Sequence, residues 1–270
     1  MRLGRILVAG TIFAGVVALT FPTDALVRWA LARVLPASGP RVEFDHATLR
    51  PWGVRLAPVT LRDPTGYRLA AADWLFARPS LRGFLHDRAG RPWHATGTAY
   101  GGTFAALVGR EATDLEWHDF DLARIPTLKV GGERLGGTTS GAATLRGASG
   151  EGTADVHRMT WPSAARFLVG ADAIPIDASV WWTLAGARLA LDAITARGAG
   201  VEAKGNGSVR LASPVGRSAL DVHVTLAPGP DAAPGLRQLI ANLPPAADGT
   251  DAHRLAVSGT LEAPHFEGTP

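Results

Sequence analysis

The sequence predicts a mainly β protein, an antiparallel sheet large enough to cover most of its own apolar face, carried behind an apolar N-terminal helix. Three observations predict it. From Arg41 onward polar and apolar residues alternate with period two for most of the chain, the signature of strands with one wetted face. Within that region only two short segments have helical spacing, so helices cannot supply a covering layer. The run from Ile6 to Phe21 carries no charge and is closed by Pro22, unlike anything else in the chain.

The apolar run decides where the protein is expected to work. Arg2 and Arg5 precede about 16 uncharged residues, which the export machinery reads as a signal sequence and which rise roughly 25 Å as a helix. Val16-Val17-Ala18 is a poor match to a cleavage site, and Phe21-Pro22 follows where small polar residues belong. An uncut transmembrane signal anchor over 1–22 is therefore expected, its apolar contacts with lipid made by Ile6, Leu7, Val8, Ile12, Phe13, Val16, Val17, Leu19 and Phe21. Arg28 and Arg33 offset Arg2 and Arg5 in the positive-inside count, but the short basic head and Asp24 favour a cytoplasmic N-terminus. The bulk of the chain would then be periplasmic, beside the bacterial inner membrane.

Thr23-Asp24 offers N-cap residues for an amphipathic helix over 23–36, with Leu26, Trp29, Ala30 and Val34 on one side and Pro36 as its end. This helix either lies on the bilayer surface with Trp29 at headgroup level or plugs one end of the following domain. A β-rich domain over 41–270 follows. Its clearest strand is 218–226, with Leu220, Val222, Val224 and Leu226 on one face and Asp221, His223 and Thr225 on the other. The segment 253–262 repeats the pattern, setting Leu255, Val257 and Leu261 against Arg254, Ser258, Thr260 and Glu262. Further strands are expected over 42–49, 54–61, 93–100, 114–122, 140–146, 152–160, 177–184, 188–197 and 201–211. Helical spacing interrupts them at 80–85 and at 234–243, the latter bounded by Pro234-Gly235 and Pro244-Pro245. Such a sheet covers its apolar face by curling into a barrel, a sandwich or an open half-pipe.

Glycine marks both the strands and their limits. Ser140-Gly141, Gly205-Asn206-Gly207 and Ser258-Gly259 each place glycine shortly before a small or apolar residue and a leucine, where it permits a bend or close crossing. The glycine-rich stretch 131–152 reads as a loop or as the boundary between two halves.

Composition narrows the function. Hydrophobic residues at 46% and charged residues at 19% place the chain among folded proteins, and no cysteine is present for disulfides or thiolate metal sites. Net charge is only +3, and the arginines are scattered singly, with Lys129 and Lys204 as the only lysines, so nucleic acid is not an expected partner. No metal-ligand spacing, nucleophile elbow or dinucleotide fingerprint occurs, and neither a catalytic residue, a metal nor a cofactor is expected. Around His118, the run Glu116-Trp117-His118-Asp119-Phe120-Asp121 reads as the polar side of a strand broken by a bulge at 119. Eight tryptophans against two tyrosines read as core filling by default. Trp181-Trp182 must split between the two faces of its strand.

Taken in order, several segments resemble the type II secretion system protein N family, GspN. They are Thr20-Phe21-Pro22-Thr23-Asp24, Val42-Glu43-Phe44 continuing to Leu49-Arg50-Pro51-Trp52-Gly53-Val54-Arg55-Leu56, Gly90-Arg91-Pro92-Trp93-His94, and Val257-Ser258-Gly259-Thr260-Leu261-Glu262-Ala263-Pro264. The resemblance implies a single-pass inner-membrane accessory component of the type II protein secretion system, non-enzymatic, whose partners are other subunits of that machine. The anchor and strand-rich sequence also resemble the wider AsmA/TamB-like group, which implies a β half-pipe with an apolar inner face and phospholipid as a ligand. On that alternative, Leu220, Val222, Val224, Leu255 and Val257 would line an apolar groove; their plainer reading is an ordinary closed core.

Overall fold

The computed structural model describes residues 24, 25, 27, 28, 41–62, 65–80, 93–109, 111–126, 128–130, 133–160, 175–232, 234–246 and 252–267. The expected anchor, most of the 23–36 helix and the helical candidate from 81 onward lie outside these residues. Among the described residues no helix is long and apolar enough to cross a membrane. The chain divides into two compact units, Met1–Pro79 and Ser80–Pro270.

In the first unit β1 (Arg41–Arg50) and β2 (Gly53–Arg62) form a hairpin, and β2 also pairs with β3 (Arg68–Ala72) and β4 (Trp74–Pro79). The two-residue turn between β1 and β2 is the Arg-Pro-Trp-Gly motif. Arg50 pairs with Gly53, and a Cβ at Gly53 would stand 2.9 Å from the ring of Phe76, so no larger residue fits there. Trp52 is 81% exposed.

Phe44, Leu56 and Val59 are the buried centre of this unit, with Val27, Val42, Ala47, Val54, Ala72 and Leu75 packed around them. Asp24 and Arg28, one helical turn apart, close the outer side of β1. The Asp24 carboxylate accepts from the Ala47 N–H at 2.6 Å, and the Arg28 guanidinium donates to the Phe44 carbonyl at 2.8 Å while lying 4.6 Å over the Phe44 ring. Backbone groups that an edge strand would leave open are thus paired by side chains.

The second unit is an antiparallel sheet whose strands follow one another in sequence. They are β5 (Trp93–Ala99), β6 (Gly102–Val108), β7 (Thr113–Asp121), β10 (Gly136–Arg146), β11 (Ser149–Thr160), β12 (Ile176–Ala185), β13 (Arg188–Gly198), β14 (Val201–Arg210), β15 (Ala219–Pro228), β16 (His253–Thr260) and β17 (Pro264–Glu267). The β8 (Lys129–Val130) and β9 (Glu133–Arg134) hairpin stands apart from it. Among the described residues β5 and β17 do not pair with each other, so this sheet is not closed. Helix α1 (Pro234–Ala241) packs on β15 and buries Ile240, which is 1% exposed.

Two expectations are corrected here. The stretch 131–152 is mostly not a loop: β10 and the start of β11 run through it, turning at Gly147 with φ 59°. Leu261 and Glu262 do not continue β16, because the chain turns after Thr260, whose N–H reaches the Ala263 carbonyl at 3.2 Å before Pro264. β3, β4, β6 and β17 were not legible as strands. The bulge near His118 is present: Asp119 has φ 56°, the register with β10 shifts there, and Glu116, His118 and Asp119 face solvent.

The β13–β14 hairpin turns on Ala199 and Gly200 with φ values of 51° and 73°, the left-handed pair that two-residue hairpins favour. Alanine in this region costs about 1 kcal/mol that asparagine largely avoids. Ala199→Asn is therefore expected to stabilise the unit by roughly 0.5–1 kcal/mol, read as a higher midpoint in urea. An unchanged or lower midpoint contradicts the turn assignment.

Candidate functional site: an apolar sheet face

Residues directly opposite on neighbouring antiparallel strands share a face, so the register turns the second sheet into a series of transverse rungs. One rung crosses all eleven strands as Ala95, Ala106, Leu115, Ala143, Gly152, Trp182, Leu191, Gly207, Val222, Val257 and Phe266. The adjacent rung on the same face reads Gly97, Phe104, Trp117, Gly141, Ala154, Val180, Ile194, Gly205, Val224 and Leu255. Neither rung contains a polar side chain. A third, from Trp93 through Leu145, Leu184, Leu189, Val209 and Leu220 to Pro264, contains one, Thr113.

This face is apolar without being sealed. In β11, β12 and β13 its residues alternate with exposed ones, yet none becomes fully buried. On this face full burial is reached at Ala95, Ala99, Ala106, Ala143 and Val209. Contiguous apolar surface left half-exposed in water is costly at about 25 cal/mol per Å².

Glycines on this face accommodate large neighbours. A Cβ at Gly152 would lie 2.6 Å from the Trp182 ring, and one at Gly141 would collide with the Trp117 ring. Each tryptophan therefore lies flat across the next strand, spreading an aromatic floor over the sheet. Of the glycines in the sequence echo, Gly141 lies beneath a ring, whereas Gly205 and Gly207 admit the Val224 and Val222 side chains.

The five residues expected to line a groove are brought together. Val222 faces Val257 and Val224 faces Leu255 on β15 and β16, with Leu220 in the third rung. All five are half-buried. The groove residues named from the sequence did not include the middle of the face, where Trp117, Trp182, Val180, Leu191 and Ile194 stand. The strand over 188–197 was expected, but a register shift between Leu191 and Ile194 decides which of its residues join the rungs. The nine anchor residues lie outside the described ones.

The tryptophans depart from core filling. Trp52, Trp93 and Trp181 are 81%, 50% and 58% exposed, while Trp182 is half-buried, so the Trp181-Trp182 pair does divide between the faces. The other face is polar and internally paired. Thr144 donates to Asp114 at 2.9 Å, Ser179 donates to Asp155 at 2.5 Å, and Arg197 meets Glu202 at 3.2 Å. Among the described residues no group of acidic, histidine or cysteine side chains has the arrangement of a metal site.

Fold and face together define the class: an open antiparallel β protein whose sheet is apolar on one side and polar on the other. No family model, curated protein or solved structure matches the chain.

Proposed function

We propose that this chain is a non-enzymatic, inner-membrane-anchored accessory component of the type II protein secretion system, its periplasmic β units contacting other subunits of the machine. The observation that carries this reading is Trp52. It stands at the tip of the β1–β2 hairpin in the Arg-Pro-Trp-Gly segment of the resemblance, and at 81% exposure it contributes almost nothing to the fold. A tryptophan held out on a rigid two-residue turn suits the anchor of a protein interface. Purification of the tagged full chain from envelope membranes should recover secretion-system subunits, and Trp52→Ala should reduce their recovery several-fold without changing the amount of the chain itself. Recovery equal to that of the unaltered chain would sink the reading.

A second reading is favoured by the apolar rungs: an AsmA/TamB-like role in which acyl chains of phospholipid lie along the sheet. Trp181 and Trp182 provide an internal control, because they are adjacent in sequence but on opposite faces. Full-length variants retaining only one of the two, incubated with phospholipid brominated along its acyl chains, should show strong quenching of Trp182 and little of Trp181. Equal quenching, or none, rules out the groove. Co-purified subunits without lipid favour the first role, and lipid alone favours the second.

A further inference from the structure

The polar face of the second sheet carries a cluster of cationic and hydrogen-bonding side chains on three neighbouring strands. Lys204 on β14, Thr225 on β15 and Arg254 on β16 are direct cross-strand neighbours in a single rung. Asn206 and His223 face each other one rung away. These side chains line a dent of about 360 Å³. Lys204 and Arg254 start two strand spacings apart, about 10 Å, one on each side of Thr225.

Arg197 on this face meets a carboxylate, Glu202, at 3.2 Å, whereas Arg188 and Arg210 meet none among the described residues. The nearby carboxylates are already engaged: Glu202, two residues from Lys204 on the same face, meets Arg197, and Asp221 is 3.3 Å from the His223 ring. Lys204 and Arg254 have no side-chain ion pair or hydrogen bond among the described residues. Two unpaired cations flanking a hydroxyl, with an amide beside them, form a donor set matched to an oxyanion.

We infer that this dent binds a phosphate-bearing anion. The Arg254 guanidinium supplies a planar fork for two of its oxygens and Lys204 a point charge, while Thr225 and Asn206 donate from below. The site requires neither secretion partners nor acyl chains. Its phosphate comes from a phospholipid headgroup or from a soluble phosphate ester, two sources with one recognition chemistry.

The test uses the full chain in detergent micelles, titrated calorimetrically with glycerol phosphate, and the same chain assayed for binding to phosphatidylcholine vesicles with and without phosphatidic acid. Saturable binding is expected in at least one arm, weakened at least tenfold in the Lys204→Gln/Arg254→Gln double variant. The control is Arg188→Gln/Arg210→Gln, which removes the same charge from a cross-strand pair further along the same face. It should bind as the unaltered chain does. Saturation by glycerol phosphate identifies a soluble ester as sufficient, whereas binding only to phosphatidic acid vesicles identifies the headgroup. Absence of saturation in both arms overturns the site. So does an equal loss in the two double variants, which would reduce it to net charge. Both substitutions are on exposed positions, and an unchanged thermal melt verifies that the fold survives.

Discussion

Substituting Gly152 with valine is expected to destabilise the second unit by about 3 kcal/mol, the upper part of the range for forcing volume into a filled site. The reason is local and twofold. A Cβ at this position would stand 2.5 Å from the Ala142 carbonyl oxygen and 2.6 Å from the Trp182 ring. The ring can tilt away, but the backbone of β10 cannot retreat without breaking its pairing with β11. The melting temperature should fall by roughly 10 °C. Gly235→Ala, where no atom lies within 4 Å, is the matched control and should be neutral or slightly stabilising. Combining Gly152→Val with Trp182→Ala should cost less than the sum of the two changes, because the smaller side chain removes one of the two clashes. A melt unaffected by Gly152→Val would mean that Trp182 does not lie across β11.

Phe44→Ala is the second large effect, with an expected loss of about 3–5 kcal/mol from the first unit. Phe44 is 3% exposed and stands at the centre of the only buried cluster described there, with Leu56 and Val59 of β2 and with Val27 packed against that cluster. Its removal leaves a cavity and takes away the ring beneath the Arg28 guanidinium. Hydrogen exchange is the suitable readout, since protection of the β1–β2 ladder amides should drop sharply while those of β12–β14 keep theirs. A loss below about 1 kcal/mol would show that the cluster is not the core of that unit.

Alternation was legible wherever strands ran without interruption. The strands β14 and β15 were expected nearly at their observed bounds, because each has a wetted face and a covered one. Short strands were missed for a physical reason. β3, β4 and β17 have four to six residues, too few for a period of two to stand out. β6 was missed differently: Thr103-Phe104-Ala105-Ala106-Leu107-Val108 is apolar on both sides, so it does not alternate. The site was half legible. Leu220, Val222, Val224, Leu255 and Val257 were recognisable from two clean strands, but the reclining tryptophans and the Lys204–Thr225–Arg254 rung depend on cross-strand register. Register is set by turns such as Ala199-Gly200 and by bulges such as that at Asp119, and both are three-dimensional events.

The sequence by itself determined that this is a β protein with one apolar sheet face, because side chains alternate on any extended backbone and their polarity is written residue by residue. It also supplied the charge-free N-terminal run and the glycines. Only the tertiary structure decided that the strands of the second unit line up into unbroken apolar rungs across an open sheet, and that Lys204 and Arg254 flank Thr225. Those facts belong to pairs of residues far apart in the chain, and a single strand holds no information about which neighbour it will face.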